Sequence, residues 1–159
     1  MSDDINALIR NITVDNQDGR NQRFGEGMTY DSELQIWSTS IGVVDADGVE
    51  TVYELEIEFV PPNEGEDLPG FVVVRWLVVV PDEMRISAAD NLDLHKTINE
   101  LNAWPGCKFR LMNDDRNDYV VCEVDLPADL VTAAGLQFAF EYSRDAVALH
   151  LETLKDVCC

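Results

Sequence analysis

The run Val49-Glu50-Thr51-Val52-Tyr53-Glu54-Leu55-Glu56-Ile57-Glu58-Phe59-Val60 decides the fold. In an extended chain, successive side chains point to opposite faces. Val49, Thr51, Tyr53, Leu55, Ile57 and Phe59 therefore share one face, against Glu50, Glu54, Glu56 and Glu58 on the other. One buried face and one wet face is the pattern of an antiparallel sheet covered on a single side. Upstream, residues 34–44 read as a partner strand, and Asp45-Ala46-Asp47-Gly48 supplies the chemistry of a hairpin turn between the two. Downstream, residues 61–70 carry prolines that lack donors for a ladder, which predicts an exposed acidic loop. Residues 71–80 then read as a third strand, apolar on both faces and so central or doubly covered.

Working outward from this block, Ile5, Leu8, Ile9 and Ile12 recur at helical spacing behind Ser2 as a cap, with Asp3, Asp4, Asn6 and Arg10 toward water. Residues 15–30 hold Gly19, Gly25 and Gly27 and little apolar content, so a connecting loop ending in a short strand is expected. After the third strand, Leu94, Ile98 and Leu101 mark a second helix, with Asp90 or Asn91 as cap and Pro105-Gly106 as stop. Two strands, 107–112 and 119–126, flank the polar run 113–118, and a last helix spans about 129–155 with Leu136, Phe140, Val147, Leu151 and Leu154 along one side. Ser143 and Gly135 weaken that stripe. The expected class is α+β in the order α-β-β-β-α-β-β-α: one domain over 1–159, built on a mainly antiparallel five-stranded sheet with helices packed on it.

The chain has 159 residues with 31 Asp plus Glu against 11 Lys plus Arg, a net charge of −20. A balance this acidic argues against nucleic acid and against anionic membrane surfaces, both of which are bound by clustered cations. No basic stretch followed by an apolar one opens the chain, and the longest apolar run contains Arg75, so a cytoplasmic location is expected. In a reducing compartment Cys107 and Cys122 serve as small apolar strand residues, while Cys158 and Cys159 at the chain end receive no function.

Signatures of chemistry are sparse. Asp45, Asp47 and Gly48 begin like a calcium loop, but the fifth position is Val49, and a turn explains them. Asn113, Asp114, Asp115, Asn117 and Asp118 could hold a weakly bound cation, although such residues also dominate turns. His95 and His150 have no second ligand at metal spacing, and His95 beside Lys96 is expected to face solvent. The glutamate row at 54, 56 and 58 reads as solvation and edge protection rather than paired acid and base. No catalytic residue, cofactor or metal is assigned.

The strands carry more apolar residues than three helices of this size are expected to cover. Trp37, Val72, Val74, Trp76 and Val78 are therefore the candidate protein-binding surface, with self-association or ordinary core packing as the competing accounts.

The element order resembles the fold shared by type III secretion chaperones and the YbjN family. The likeness to YbjN is closer over the second half. Leu94, Ile98, Asn99, Leu101 and Asn102 look like that family's helix ending in Asn-x-x-Asn. A strand like Cys107-Lys108-Phe109-Arg110-Leu111 follows, then a polar turn, Val120-Val121-Cys122-Glu123-Val124-Asp125-Leu126 and a final helix. Here Trp104-Pro105-Gly106 replaces the basic residues often seen after the asparagines. The resemblance implies a non-enzymatic, chaperone-like or regulatory protein that binds a polypeptide segment, commonly as a homodimer. Asn99 and Asn102 have a role of their own in view, bonding freed helix carbonyls or the adjoining strand. The alternatives are a small-molecule sensor or enzyme with a pocket between sheet and helices, and a structural subunit of a larger complex.

Overall fold

The glutamate-studded strand lies third from one side of a larger sheet. The computed structural model describes residues 3–15, 21–23, 27–44, 48, 50–62, 65, 69–79, 92–103, 105–113 and 118–158. Its elements are α1 (Asp3–Arg10), β1 (Thr13–Asp15), β2 (Asn21–Arg23), β3 (Thr29–Asp31), β4 (Ile36–Val44), β5 (Glu50–Val60), β6 (Phe71–Val79), α2 (Leu92–Leu101), β7 (Lys108–Asn113), β8 (Asp118–Pro127) and α3 (Ala133–Cys158). Six strands pair antiparallel in the order β3-β4-β5-β6-β8-β7, and β1 and β2 form a separate two-stranded ribbon. The α+β class and the two hairpins are as expected. The strand count is not five but six.

The sixth strand is β3, the short strand closing the glycine-bearing segment. The Asp31 carboxylate accepts from the amides of Glu33 and Leu34 at 2.8 and 3.0 Å, and Gln35 sits at φ 56°, so the chain reverses tightly onto β4. Tyr30 then stacks on Trp37 with ring centroids 4.8 Å apart. One aromatic contact and a capped turn organise a stretch whose composition gives little strand signal.

Register aligns the apolar side chains in rows across the sheet: Trp37, Ile57, Val74 and Val124 in one, Leu55, Trp76, Cys122 and Phe109 in the next. Ile5, Ile9 and Ile12 of the α1 segment, Ile98 and Leu101 of α2, and Leu136, Ala139, Phe140 and Val147 of α3 close over this face. Trp37, Val72, Val74 and Trp76 are at most 3% exposed, and Val78 is half-buried against the same cluster. These five residues are therefore core, which corrects their assignment to a binding surface. The reason lies in how the helices share the face: α1 covers Trp37 through Asn6 and Arg10, while the last helix lies over β6 and β8 and covers Trp76 through Phe140 and Ser143.

Local chemistry refines the helices. Asn6, expected in water, accepts the indole N–H of Trp37 at 2.9 Å, and Arg10 lies 5.3 Å from the centre of that ring. Ser143, which weakens the apolar stripe on paper, accepts the Trp76 indole N–H at 2.7 Å and donates to the Ala139 carbonyl at 2.6 Å. Thr132 caps α3 by accepting the Gly135 amide, so the helix begins at Ala133 rather than near 129. Gly106 after α2 has φ +95° and faces the Tyr142 ring, where an added Cβ would lie 3.1 Å from a ring carbon. Ser2, Asp90, Asn91, Trp104, residues 45–47 and residues 114–117 lie outside the described residues.

Asn102 fulfils its sequence expectation. Its amide donates to the Phe109 carbonyl at 2.8 Å and accepts the Phe109 N–H at 2.6 Å, imitating a neighbouring strand along the outer side of β7. Replacing Asn102 with Ala should cost about 1–2 kcal/mol, because the freed groups at this edge regain only part of that bonding from water. Urea denaturation reads the effect, and a midpoint identical to wild type would contradict this role.

Candidate functional site

With the helices on one face, three surfaces are left for recognition: the opposite face and the two sheet edges. The opposite face is polar along β4 and β5, where Ser38, Ser40, Gly42, Glu54, Glu56 and Glu58 alternate with the core residues. At its centre Arg75 of β6 bonds Glu58 at 2.9 Å and Glu56 and Glu123 each at 3.4 Å, while Arg110 also reaches Glu123 at 3.0 Å. Burial works against the Arg75 charge, but Glu58, then Glu123 and Glu56, outweigh it and hold the guanidinium above its ordinary value. The glutamate row is therefore partly an ion-pair network, not simply a solvated face. Its sequence signal was the lone charge within an apolar strand. Toward one end Leu77, Tyr119 and Val121 form a second small buried cluster, with Met112 packed on it.

Two hollows open on or beside this face. One, of about 250 Å³, is lined by Gly106, Cys107, Lys108, Glu123 and Asp125. The Lys108–Asp125 ion pair sits in it and raises the Lys108 value through its hydrogen bond. The Cys107 thiol beside it is held below the usual thiol value by a hydrogen bond with Cys122, and that bond together with burial pushes the Cys122 thiol up. Both cysteines are buried, as their small apolar reading expects. The larger hollow, of about 450 Å³, is a trough lined by Gly27, Thr29, Ser38, Thr39, Ser40, Glu54 and Glu56. It runs beside β4 where β3 ends.

The two edges differ in how they are finished. On β7, Asn102 occupies the outward peptide groups of Phe109. On the other side β3 pairs only with Ile36, Trp37 and Ser38 of the nine-residue β4. The Gly70 carbonyl accepts the Ala128 N–H and the Gln35 carbonyl accepts the Phe59 N–H. Counting by twos from either contact, the odd-numbered residues of β4 direct their peptide groups at β5 and the even-numbered ones direct theirs outward. Ile36 and Ser38 thus face β3, while Ser40, Gly42 and Val44 lie past its end, where no described strand pairs with them. The edge sequence Thr39-Ser40-Ile41-Gly42-Val43-Val44 has no Pro, Lys or other charged residue to deter pairing.

Among the described residues no three His, Cys, Asp or Glu side chains are grouped to hold a metal ion, and no helix is long and apolar enough to cross a membrane. His95 is exposed on α2.

Fold and site together define an α+β protein whose antiparallel sheet carries the described helices on one face and, on the other, a glutamate–arginine network beside a small buried apolar cluster, with β4 unpaired past Ser38 among the described residues. The structure is similar to the crystal structure of YbjN from E. coli, at 14% sequence identity over 77% of each chain and a TM-score of 0.49. No family model matches the sequence, and no curated protein matches it.

Proposed function

We propose that the protein is a non-enzymatic binding protein, chaperone-like or regulatory in role, that captures an extended segment of a protein client by strand addition at the outer half of β4. One observation carries this reading: Ser40, Gly42 and Val44 present a row of outward peptide groups beyond the end of β3, alongside an open trough. An extended segment laid there gains main-chain hydrogen bonds at every second residue, which is how sheet edges commonly take up peptides. Binding through the apolar sheet face is set aside, because helices cover that face. Of the hollows lined by described residues, two lie on or beside the open face, where a bound small molecule would keep its contact with water.

The test is Ser40→Pro. The Ser40 N–H points away from β5, so proline there removes an edge donor without breaking a bond inside the sheet. The variant should keep its circular dichroism spectrum and lose at least tenfold in affinity for peptides selected from a random display library against the wild type. Undiminished binding by the folded variant would refute capture at this edge. Sedimentation of the free wild type identifies the competing occupant, a second copy paired β4 to β4. A dimer dissociated by Ser40→Pro would put that copy, rather than a client, on the edge.

A further inference from the structure

Resting on that reading, the side chains flanking the stretch of β4 that no described strand pairs specify what kind of segment fits. We infer that the captured strand carries a Lys or Arg and a large apolar residue two positions apart on one face, the cation opposite Ser40 and the apolar residue opposite Gly42.

The register supplies the geometry. On the open face Ser40 is backed across β4 by Glu54, and Gly42 by Val52. A strand added outside β4 runs about 10 Å from β5, two strand spacings away. Only small residues stand between. A Lys or Arg opposite Ser40 can lie over that short side chain, along the trough, and bring its charge to the Glu54 carboxylate. Glu54 differs from its neighbours on β5. Glu56 and Glu58 are engaged by Arg75, whereas Glu54 is exposed, lies across from Leu77 on β6 and forms no ion pair among the described residues. A large apolar side chain opposite Gly42 meets no Cβ and can cover Val52, which is 66% exposed. The two positions thus demand different chemistries, and the net charge of −20 adds a long-range attraction for basic segments.

The probe is a capped, fluorescently labelled nonapeptide of alternating Thr and Val bearing one Trp and one Lys two positions apart, titrated by anisotropy against the whole protein at low salt. Replacing the peptide's Lys by Glu should weaken binding at least tenfold, and its Trp by Ala about fivefold. On the protein, Glu54→Gln should erase the preference for Lys over Glu, and Val52→Ser the preference for Trp over Ala, with both variants folded because both side chains are exposed. Raising salt should reduce the Lys preference and spare the Trp preference. Equal affinity for all three peptides, abolished in each case by N-methylation of the backbone amides that would face β4, would overturn the inferred pattern and leave strand addition standing. Binding of the Lys/Trp peptide that survives N-methylation would overturn both. Loss of binding on N-methylation together with the two side-chain preferences supports the inference.

Discussion

Replacing Trp76 with Ala should lower folding stability by about 3–5 kcal/mol, the largest single-site loss expected in this molecule. The side chain is fully buried in the middle strand of the core, packs on Phe140 at 5.6 Å between ring centroids, and gives its indole N–H to Ser143. Truncation opens a cavity under α3 that a 26-residue helix, pinned along its length by Leu136, Ala139, Phe140 and Val147, cannot close by a local shift. The lost indole bond is the smaller part, because Ser143 keeps its own bond to the Ala139 carbonyl. Trp76→Phe should therefore recover much of the deficit, while Ser143→Ala, which leaves the buried indole N–H without its acceptor, should cost about 1–3 kcal/mol. Set against a typical total of about 5–15 kcal/mol, Trp76→Ala leaves a protein near its unfolding threshold. Urea denaturation followed by circular dichroism measures all three. A Trp76→Ala protein as stable as wild type would mean that this position is not core.

Trp76 also shows where the sequence is legible and where it is not. Period-two alternation and hairpin turns fix strands, pairing direction and the inward face, since a slip of one residue would bury the glutamates of β5. They cannot tell how far a helix reaches across the sheet. A buried Ser143 reads as a flaw in the stripe of α3 until Trp76 is seen to need an acceptor there. The same limit leaves β3 legible only as a short strand closing a loop, because its place in the sheet comes from the Asp31 turn and the Tyr30–Trp37 stack rather than from composition. It also hides the outer side of β4: which part of the strand has a described neighbour follows from the length of β3, and Thr29-Tyr30-Asp31 is too short to give a periodic signal. Asn102 was legible because an amide just beyond a helix, a few residues before a strand, has little else to bond. Gly42 and Ser40 are plain in the sequence as residues that weaken a strand. Only the register shows them as the low wall between Glu54 and the side of β4 that no described strand pairs.

Arg75 is the second site from which a large loss is expected, for a different physical reason. Its side chain is 11% exposed and holds Glu58 and Glu56 through one nitrogen and Glu123 through another. Replacing Arg75 with Leu leaves three carboxylates converging on an apolar group, with Arg110 the one cation among the described residues still in reach of any of them. Breaking one partner out of a fully buried pair costs about 3–5 kcal/mol. These glutamates keep some contact with water, so about 2–3 kcal/mol is expected. Arg75→Lys should fall between, because a single ammonium cannot bond on both sides as the branched guanidinium does. The pH dependence carries a definite sign. The folded state holds Arg75 above its ordinary value, so its contribution is fully present below that value and is lost only in stronger alkali. The wild type therefore draws no pH dependence between 5 and 9 from this guanidinium. In Arg75→Leu the deficit arises from crowded negative charge, so acid that protonates carboxylates should shrink it. Urea midpoints of wild type and variant are expected to lie far apart at neutral pH and to converge on acidification. A gap that stays constant with pH would assign the loss to packing of the arginine stem instead, and no gap at all would show the network to be unimportant for stability.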